Sequence, residues 1–230
     1  MISVIIPAWN EEQTLARAIS SVRDSHALHE IIVVDGGSSD NTAAVTQGLG
    51  VQTVSSPVRQ RAAQMNLGAE QSKGEILLFL HADTVLPLEA LDQVEAALQK
   101  QNFVGGGFAR RFDSPSLFLK CTGLLAELRN RSIGWFLGDQ AIFVRRHVFT
   151  RLGGFLPIDR FEDLDFSRRA RRLGRLATLH PPVLTSARRF EREGPFRRTV
   201  RDFFLTMRYL QGYPRATDAP PKCAVKEHVC

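Results

Sequence analysis

Glu30-Ile31-Ile32-Val33-Val34-Asp35-Gly36-Gly37-Ser38-Ser39-Asp40 sets a pattern that the first hundred residues repeat. An apolar, β-branched run ends in an acid and opens into a loop of small residues. A run of this kind reads as a buried strand. Residues 2–7 form a second such run, continued by Ala8-Trp9-Asn10-Glu11, and residues 75–80 a third, ending at His81-Ala82-Asp83. Helical patterns separate them. Residues 11–24 place Leu15, Ala18, Ile19 and Val22 on one face, and residues 41–48, 59–72 and 87–101 follow, with a short strand at 52–55. Strands spaced by helices predict an α/β fold with a Rossmann-like, mostly parallel sheet and crossover helices.

The second half is less regular. The pattern predicts strands at 105–112 and 141–144, helices at 117–131, 146–152 and 162–173, and two short strands at 177–179 and 183–185. A helix rich in Phe and Arg follows at 196–211. Residues 1–212 read as one domain, and the proline-rich remainder, 213–230, as a flexible tail.

Composition narrows the class. Hydrophobic residues make up 43% and charged residues 23% of 230, ordinary for a globular protein and wrong for a disordered chain or a coiled coil. No run approaches the ~18 apolar residues that span a bilayer. The strand pattern starts at residue 2 with no basic leader or cleavage site, so a cytoplasmic protein is expected. Cys121, Cys223 and Cys230 form no C-x-x-C, which argues against a disulfide framework or a cysteine-rich zinc site. Charge is lopsided: residues 1–100 carry 6 Lys/Arg against 12 Asp/Glu, and residues 101–230 carry 24 against 12. Most of the excess is arginine, which suits a phosphate-bearing or other anionic partner, or simply a solvated basic face.

Ligands of open parallel sheets bind beyond the carboxyl ends of the strands. Asp35 and Asp83 both stand there, where carboxylates can grip a nucleotide and a divalent cation. Asp24 and Asp40 read better as cap or turn residues. No G-x-G-x-x-G follows a strand and no P-loop occurs, and Gly105-Gly106-Gly107, ahead of a strand, reads as a packed or flexible turn. Glu162-Asp163-Leu164-Asp165 opens a helix that continues into Arg168, Arg169, Arg171 and Arg172. Those acids either complement the helix dipole or supply a general base semi-buried between Phe155 and Phe161.

Taken together, Pro7-Ala8-Trp9-Asn10-Glu11, the Val33-to-Thr42 run, Phe79-Leu80-His81-Ala82-Asp83 and Glu162-Asp163 resemble family 2 glycosyltransferases of GT-A fold, in family order from residue 2 to about residue 190. The stretches 61–66, 80–84 and 138–141 are similar to a small bacterial subgroup associated with arsenosugar biosynthesis. The resemblance implies a nucleotide-binding half at 1–104 and an acceptor and catalytic-base half at 105–212. It implies that Pro7, Ala8, Asn10 and Glu11 line the nucleotide pocket. Asp35, with Gly37, would meet the base, and Arg61 the base or pyrophosphate. His81, Ala82 and Asp83 would form the D-x-D element, with Asp83 on Mn²⁺ or Mg²⁺. Asp163 would be the catalytic base, positioned by Glu162.

Two departures stand out: Gly36 follows Asp35 where the family has a second acid, and His81 replaces the first acid of D-x-D. The implied reaction is an inverting displacement from a nucleotide-diphosphate sugar, a UDP-sugar favoured, onto an acceptor hydroxyl. Arg188 and Arg189 would neutralise the leaving diphosphate, and Asp139 and Gln140 would reach the acceptor or donor sugar. Trp135 reads as a sugar-stacking or a core residue, and His180 as a metal or phosphate contact or a packed histidine. The acceptor is a small molecule or lipid-linked. The basic helix at 196–211, with the apolar 117–128 segment, either contacts the inner face of a membrane or packs on the core or a homodimer partner. A nucleotidyltransferase, or a non-enzymatic binder of anionic lipid or nucleic acid, is the rival reading. Without a zinc finger, helix-turn-helix or RNA-binding aromatic motif, nucleic acid is not expected.

Overall fold

A computed structural model describes residues 1–100 and 102–212. The expectation for 213–230 lies outside them, as do Cys223 and Cys230. The chain runs β1 (Ile2–Ala8), α1 (Leu15–Arg23), β2 (His29–Asp35), α2 (Thr42–Gly48), β3 (Gln52–Ser55), α3 (Arg61–Gln71), β4 (Ile76–Phe79), β5 (Thr84–Val85), α4 (Ala90–Gln99) and β6 (Phe103–Phe112). It continues through α5 (Leu117–Ile133), a 3₁₀ turn at Gly138–Gln140, β7 (Ile142–Arg145), α6 (Arg146–Arg151), α7 (Glu162–Leu173), β8 (Arg175–Thr185), α8 (Arg188–Glu193) and α9 (Pro195–Gln211).

The eight strands form one sheet in the order β3-β2-β1-β4-β7-β6-β8-β5. β3, β2, β1 and β4 are parallel; β7 runs antiparallel to both β4 and β6, and β8 runs parallel to β6. Side chains along β1 alternate between the two faces. Val4 and Ile6 join Leu15, Ile19, Val22, Leu91 and Val94 of α1 and α4 on one side. Ile5 joins Ile32, Val34, Met65, Phe79 and Phe166 against α3 and α7 on the other. That two-faced burial is why the early strands read as unbroken apolar runs. Ser3, buried within β1, stays satisfied by donating to Glu30 and accepting from the Gly74 N–H.

The expected helices and strands form, most of their ends moved by one to three residues, some longer and some shorter than expected. Helix α1 is the largest trim: its first residues, 11–14, form a turn instead. Two expectations change. Gly105-Gly106-Gly107 lies inside β6, not in a turn. A Cβ on Gly106 would stand 2.2 Å from the Ala177 carbonyl oxygen, so β8 can approach only a residue without one. The two short strands at 177–179 and 183–185 are one strand, β8. Pro181 and Pro182 have no N–H to offer, and the pairing with β6 skips them, resuming at Arg110 opposite Val183.

The sheet also explains where a ligand belongs. From β1 the chain turns to β2 and β3 on one side, while β4 lies on the other. The loops after β1 and β4 therefore diverge and leave a crevice. Helix α7 is brought to that crevice by an aromatic cluster: Phe155, ahead of the helix, packs edge-on against Phe79 of β4 at 4.8 Å and, tilted, against Phe166 of α7 at 4.6 Å.

Candidate active site

The loops after β1 and β2 are sewn together. The Asn10 N–H donates to Ser38 Oγ, and Asn10 Oδ1 accepts from the Ser39 N–H at 2.8 Å. Asn10 holds φ 53°, a left-handed conformation that Asn tolerates better than most residues. The Glu11 N–H donates to Thr42 Oγ1 and the Glu12 N–H to Asp40. Asp40 also accepts from Thr42, the turn role expected of it. Asp35 accepts from the backbone N–H groups of Gly37 and Ser38, so its carboxylate is held at the crevice rim by its own loop. Beneath, the buried Gln64 of α3 donates to the carbonyls of both Ala8 and Val34 at 2.9 Å. One side chain thus ties together the ends of β1 and β2.

Asp83 follows β4, and the pairing of β5 with β8 brings α8 to it. Thr84 donates to Thr185, and the Ser186 N–H donates to the Asp83 carbonyl at 3.1 Å. Arg188 then reaches Glu11 at 2.6 Å and Asp83 at 3.5 Å. Burial, then the nearby Glu11, raise the Asp83 carboxyl, while Arg188 and Arg189 hold it down. His81 sits one turn away with Nε2 enclosed and unpaired. Burial, then Arg61 and Arg189, push its imidazole well below 6.5, so it is neutral at pH 7. Gly138 leans on it: a Cβ there would lie 2.4 Å from His81 Nε2.

Asp163 is the third acid. The Gly138 N–H donates to its Oδ2 at 2.5 Å and the Leu164 N–H to its Oδ1 at 2.6 Å. Burial, then the Glu162 charge, push its carboxyl up to about 7 against those two N–H groups and Arg61. Glu162 is itself buried and paired with Arg61 at 3.1 Å. Arg61 also feels Asp163 and Asp83, so it sits electrostatically at the centre of the acids.

Pro7, Ala8, Asn10, Glu11, Asp35 and Gly37 stand at the ends of β1 and β2 and in the loops after them. Arg188 joins Glu11 to Asp83, which follows His81 and the buried Ala82, and Arg61, His81, Asp163 and Arg189 share the electrostatics of this cluster. Asp139 pairs with Arg110 and keeps one buried oxygen unpaired. Gln140 is fully buried, donating to the Phe108 carbonyl and accepting from the Leu137 N–H and Arg129. It shapes the 3₁₀ turn rather than facing the crevice. Trp135 is half-buried with the Arg168 guanidinium over its ring. His180 lies apart, exposed, against Glu127 at 3.1 Å.

Sequence reasoning gave no role to five participants. Gln64 and Gly138 hold the frame, the Arg59 guanidinium covers the Trp9 ring at 3.1 Å from its centre, and Arg129 stands beside Arg110. Trp9, Gln64 and Gly138 lay within the motif stretches. Arg129 carried no local signal, because only the fold brings it to the turn.

A family model described as "Glycosyl transferase family 2" matches residues 3–152. The chain belongs to glycosyl transferase family 2. A curated relative, "Undecaprenyl-phosphate 4-deoxy-4-formamido-L-arabinose transferase" of Pectobacterium carotovorum subsp. carotovorum, is 31% identical over 184 residues, covering 68% of this chain and 54% of the relative. The chain thus spans about half the length of the curated relatives it matches. Among solved structures, the mannosyltransferase PcManGT from Pyrobaculum calidifontis, in complex with GDP-Man and Mn²⁺, superposes with a TM-score of 0.66 at 20% identity, covering 80% of this chain and 56% of that one. S. aureus TarS 1-349 in complex with UDP-GlcNAc gives 0.65 at 17%, covering 80% and 58%. These likenesses bear out the GT-A fold. They speak to the family and not to the arsenosugar-associated subgroup.

Proposed function

We propose that this chain transfers a sugar from a nucleoside-diphosphate sugar, a UDP-sugar by preference, to an acceptor hydroxyl with inversion at the anomeric carbon. The observation that carries this reading is Asp163. It is a buried carboxyl pushed up to about 7, fixed by two backbone N–H groups, and Arg61 feels its charge together with that of Asp83. A base poised near neutrality takes an acceptor proton most effectively. The hydroxyl oxygen attacks as its proton passes to Asp163, and the bond to the leaving diphosphate breaks on the opposite side. Glu162 and Arg61 position the base. Arg188 and Arg189 stand where negative charge collects on the leaving group.

Among the described residues no group of three or more His, Cys, Asp or Glu side chains is built to hold an ion alone. The acidic surroundings of Asp83 nonetheless fit a divalent cation, Mn²⁺ or Mg²⁺, shared between one carboxylate and the donor's phosphates. Such an ion, held by Asp83, would supply charge neutralisation on the diphosphate. The Mn²⁺ beside GDP-Man in the Pyrobaculum enzyme supports this choice.

On the acceptor side, Arg129 bonds to uncharged oxygens: the Trp135 carbonyl, Asn130 and Gln140. Burial, then Arg110, lower it to about 10 against the nearby Asp139 and Asp163, still charged at pH 7. A buried guanidinium whose hydrogen bonds go to uncharged oxygens favours an acceptor that carries its own anionic group. The relative named for undecaprenyl phosphate supports a lipid-linked one.

The test is a thermal-shift panel of UDP, GDP, CDP and their sugar conjugates, with and without Mn²⁺ or Mg²⁺, on wild type and Asp83→Ala. Metal-dependent stabilisation by one nucleotide in wild type, absent in the variant, is expected. No shift with any nucleotide overturns the reading and leaves the rival binders of the basic half in its place.

A further inference from the structure

Helix α5 is amphipathic in the wrong sense for a helix that only packs on its own core. Its inward face holds Leu119, Gly123, Ala126 and Asn130, mostly small. Its outward stripe, at i, i+7, i+8 and i+11, holds Leu117, Leu124, Leu125 and Leu128, each at least 62% exposed. Helix α9 repeats the theme: none of its 17 residues is buried, and Phe196, Phe203 and Phe204 are exposed. The stripes meet where Phe118 and Phe196 lie 6.0 Å apart. Scattered exposed leucines mean nothing, but a continuous band on two helices marks a surface with a partner.

Charge says which partner. Arg197, Arg201 and Arg208 of α9 and Lys120 and Arg131 of α5 are exposed along the band. Between α8 and α9 an open groove of about 500 Å³ is lined by Arg192, Arg197, Arg198 and Arg201, with Glu193 the one acid. Apolar side chains bordered by arginines match the acyl and headgroup layers of an anionic bilayer. A second copy of this chain would set arginines against arginines. Among the described residues no helix is long and apolar enough to cross a membrane, so the contact is one of lying on the surface.

We propose that the α5–α9 face docks this chain onto an anionic lipid surface, resting on the transferase reading only for its purpose. The far end of α9 gives that purpose. Tyr209 stacks on Phe161 at 5.0 Å, and Phe161 immediately precedes Glu162 and Asp163. The docked helix therefore leads from the bilayer to the loop that carries the base, and a lipid-linked acceptor would reach Asp163 along it.

Flotation of the full chain with vesicles tests this. Vesicles of phosphatidylcholine with phosphatidylglycerol are expected to carry the protein, and phosphatidylcholine alone to leave it behind. The double variants Leu124→Ser/Leu128→Ser and Phe203→Ser/Phe204→Ser should weaken partitioning at least about tenfold, and Arg197→Glu/Arg201→Glu by a similar factor with loss of the anionic preference. Since the residues are exposed, an unchanged melting temperature confirms that each variant is folded. Failure of folded wild type to float, equal binding to neutral vesicles, or a concentration-dependent dimer that the same variants abolish would overturn the proposal. Nucleotide-dependent thermal shift on the same samples separates the two readings: it persists if docking alone is wrong, and vanishes in wild type if the transferase reading is wrong.

Discussion

Residues 1–104 and 105–212 contribute to one sheet, but α5 and α9 of the second half pack unlike α1 and α4 of the first. In the first half, α1 buries Leu15, Ala18, Ile19 and Val22, and α4 buries Leu91, Val94 and Leu98. Its crevice loops are fixed by side chains bonding to backbone: Asn10 to Ser39, Asp35 to Ser38, Gln64 to two strand ends. In the second half, α5 turns leucines outward and α9 buries nothing. Its arginines near the crevice bond to acids or to uncharged oxygens, Arg188 to Glu11, Arg110 to Asp139 and Arg129 to Gln140. On the proposed reading, the difference teaches that one side is built in advance for a ligand of constant shape, a nucleotide, while the other is completed by whatever it meets.

The largest expected effect falls where the halves meet. Asp163→Asn removes the base while keeping an oxygen for the Gly138 N–H. It should lower kcat/KM by about 10³-fold, within the range of general-base catalysis, and leave nucleotide binding within about twofold. A parallel loss of nucleotide binding would place Asp163 in the donor pocket and break the division of labour. Wild-type kcat/KM should rise with pH through a midpoint near 7 and level off above it, as the proposed base ionises. Stability runs the other way. A carboxyl whose folded pKa is raised from 3.8 to about 7 favours the folded state fully below 3.8 and loses that contribution as pH rises through 7. The melting temperature of Asp163→Asn relative to wild type should therefore increase from pH 5 to pH 8. A constant difference would show that the carboxyl titrates normally.

A pair of substitutions sharpens the contrast in stability. Gln64→Leu removes one hydrogen bond from each of two buried carbonyls inside the first half, the Ala8 carbonyl keeping only the Gly36 N–H. It should cost about 2 kcal/mol, a fall of several degrees in Tm. Leu125→Ser, in the outward stripe of α5, should change stability by no more than about 0.5 kcal/mol without lipid. Equal costs would mean that the α5 stripe is already covered by protein.

The same contrast explains what was legible in the sequence. Two-sided burial wrote β1, β2 and β4 as apolar runs, and parallel order placed Asp35 and Asp83 at one sheet edge without further information. Among the acids opening its helix, Asp163 stood out only through the family resemblance, because its surroundings depend on Gly138 reaching it across 25 residues of chain. Strand β8 was misread as two because proline ends most strands, and only the skipped pairing with β6 carries it through Pro181 and Pro182. Gln140 drew attention through its motif, yet its amide is spent on Phe108, Leu137 and Arg129. Arg129 could not have been found, since its meaning lies in a neighbour, Arg110, that belongs to another element.

The smallest expected effect concerns the arginine that crosses from one half to the other. Arg188 starts α8 in the second half and ends against Glu11 and Asp83 in the first. Its guanidinium is partly exposed, so the pair itself stabilises little. Its importance lies in competition: it neutralises the same carboxylate that a divalent cation would share with the donor. Arg188→Ala removes that rival and also a cation that would meet the leaving diphosphate. The two losses act in opposite directions on different measurements. The Mn²⁺ concentration giving half-maximal activity should fall by about two- to fivefold, because Asp83 and Glu11 are left uncompensated, while the donor KM rises by a similar factor. If both rise together, Arg188 organises Asp83 rather than competing for it, and the first half depends on the second to complete its pocket.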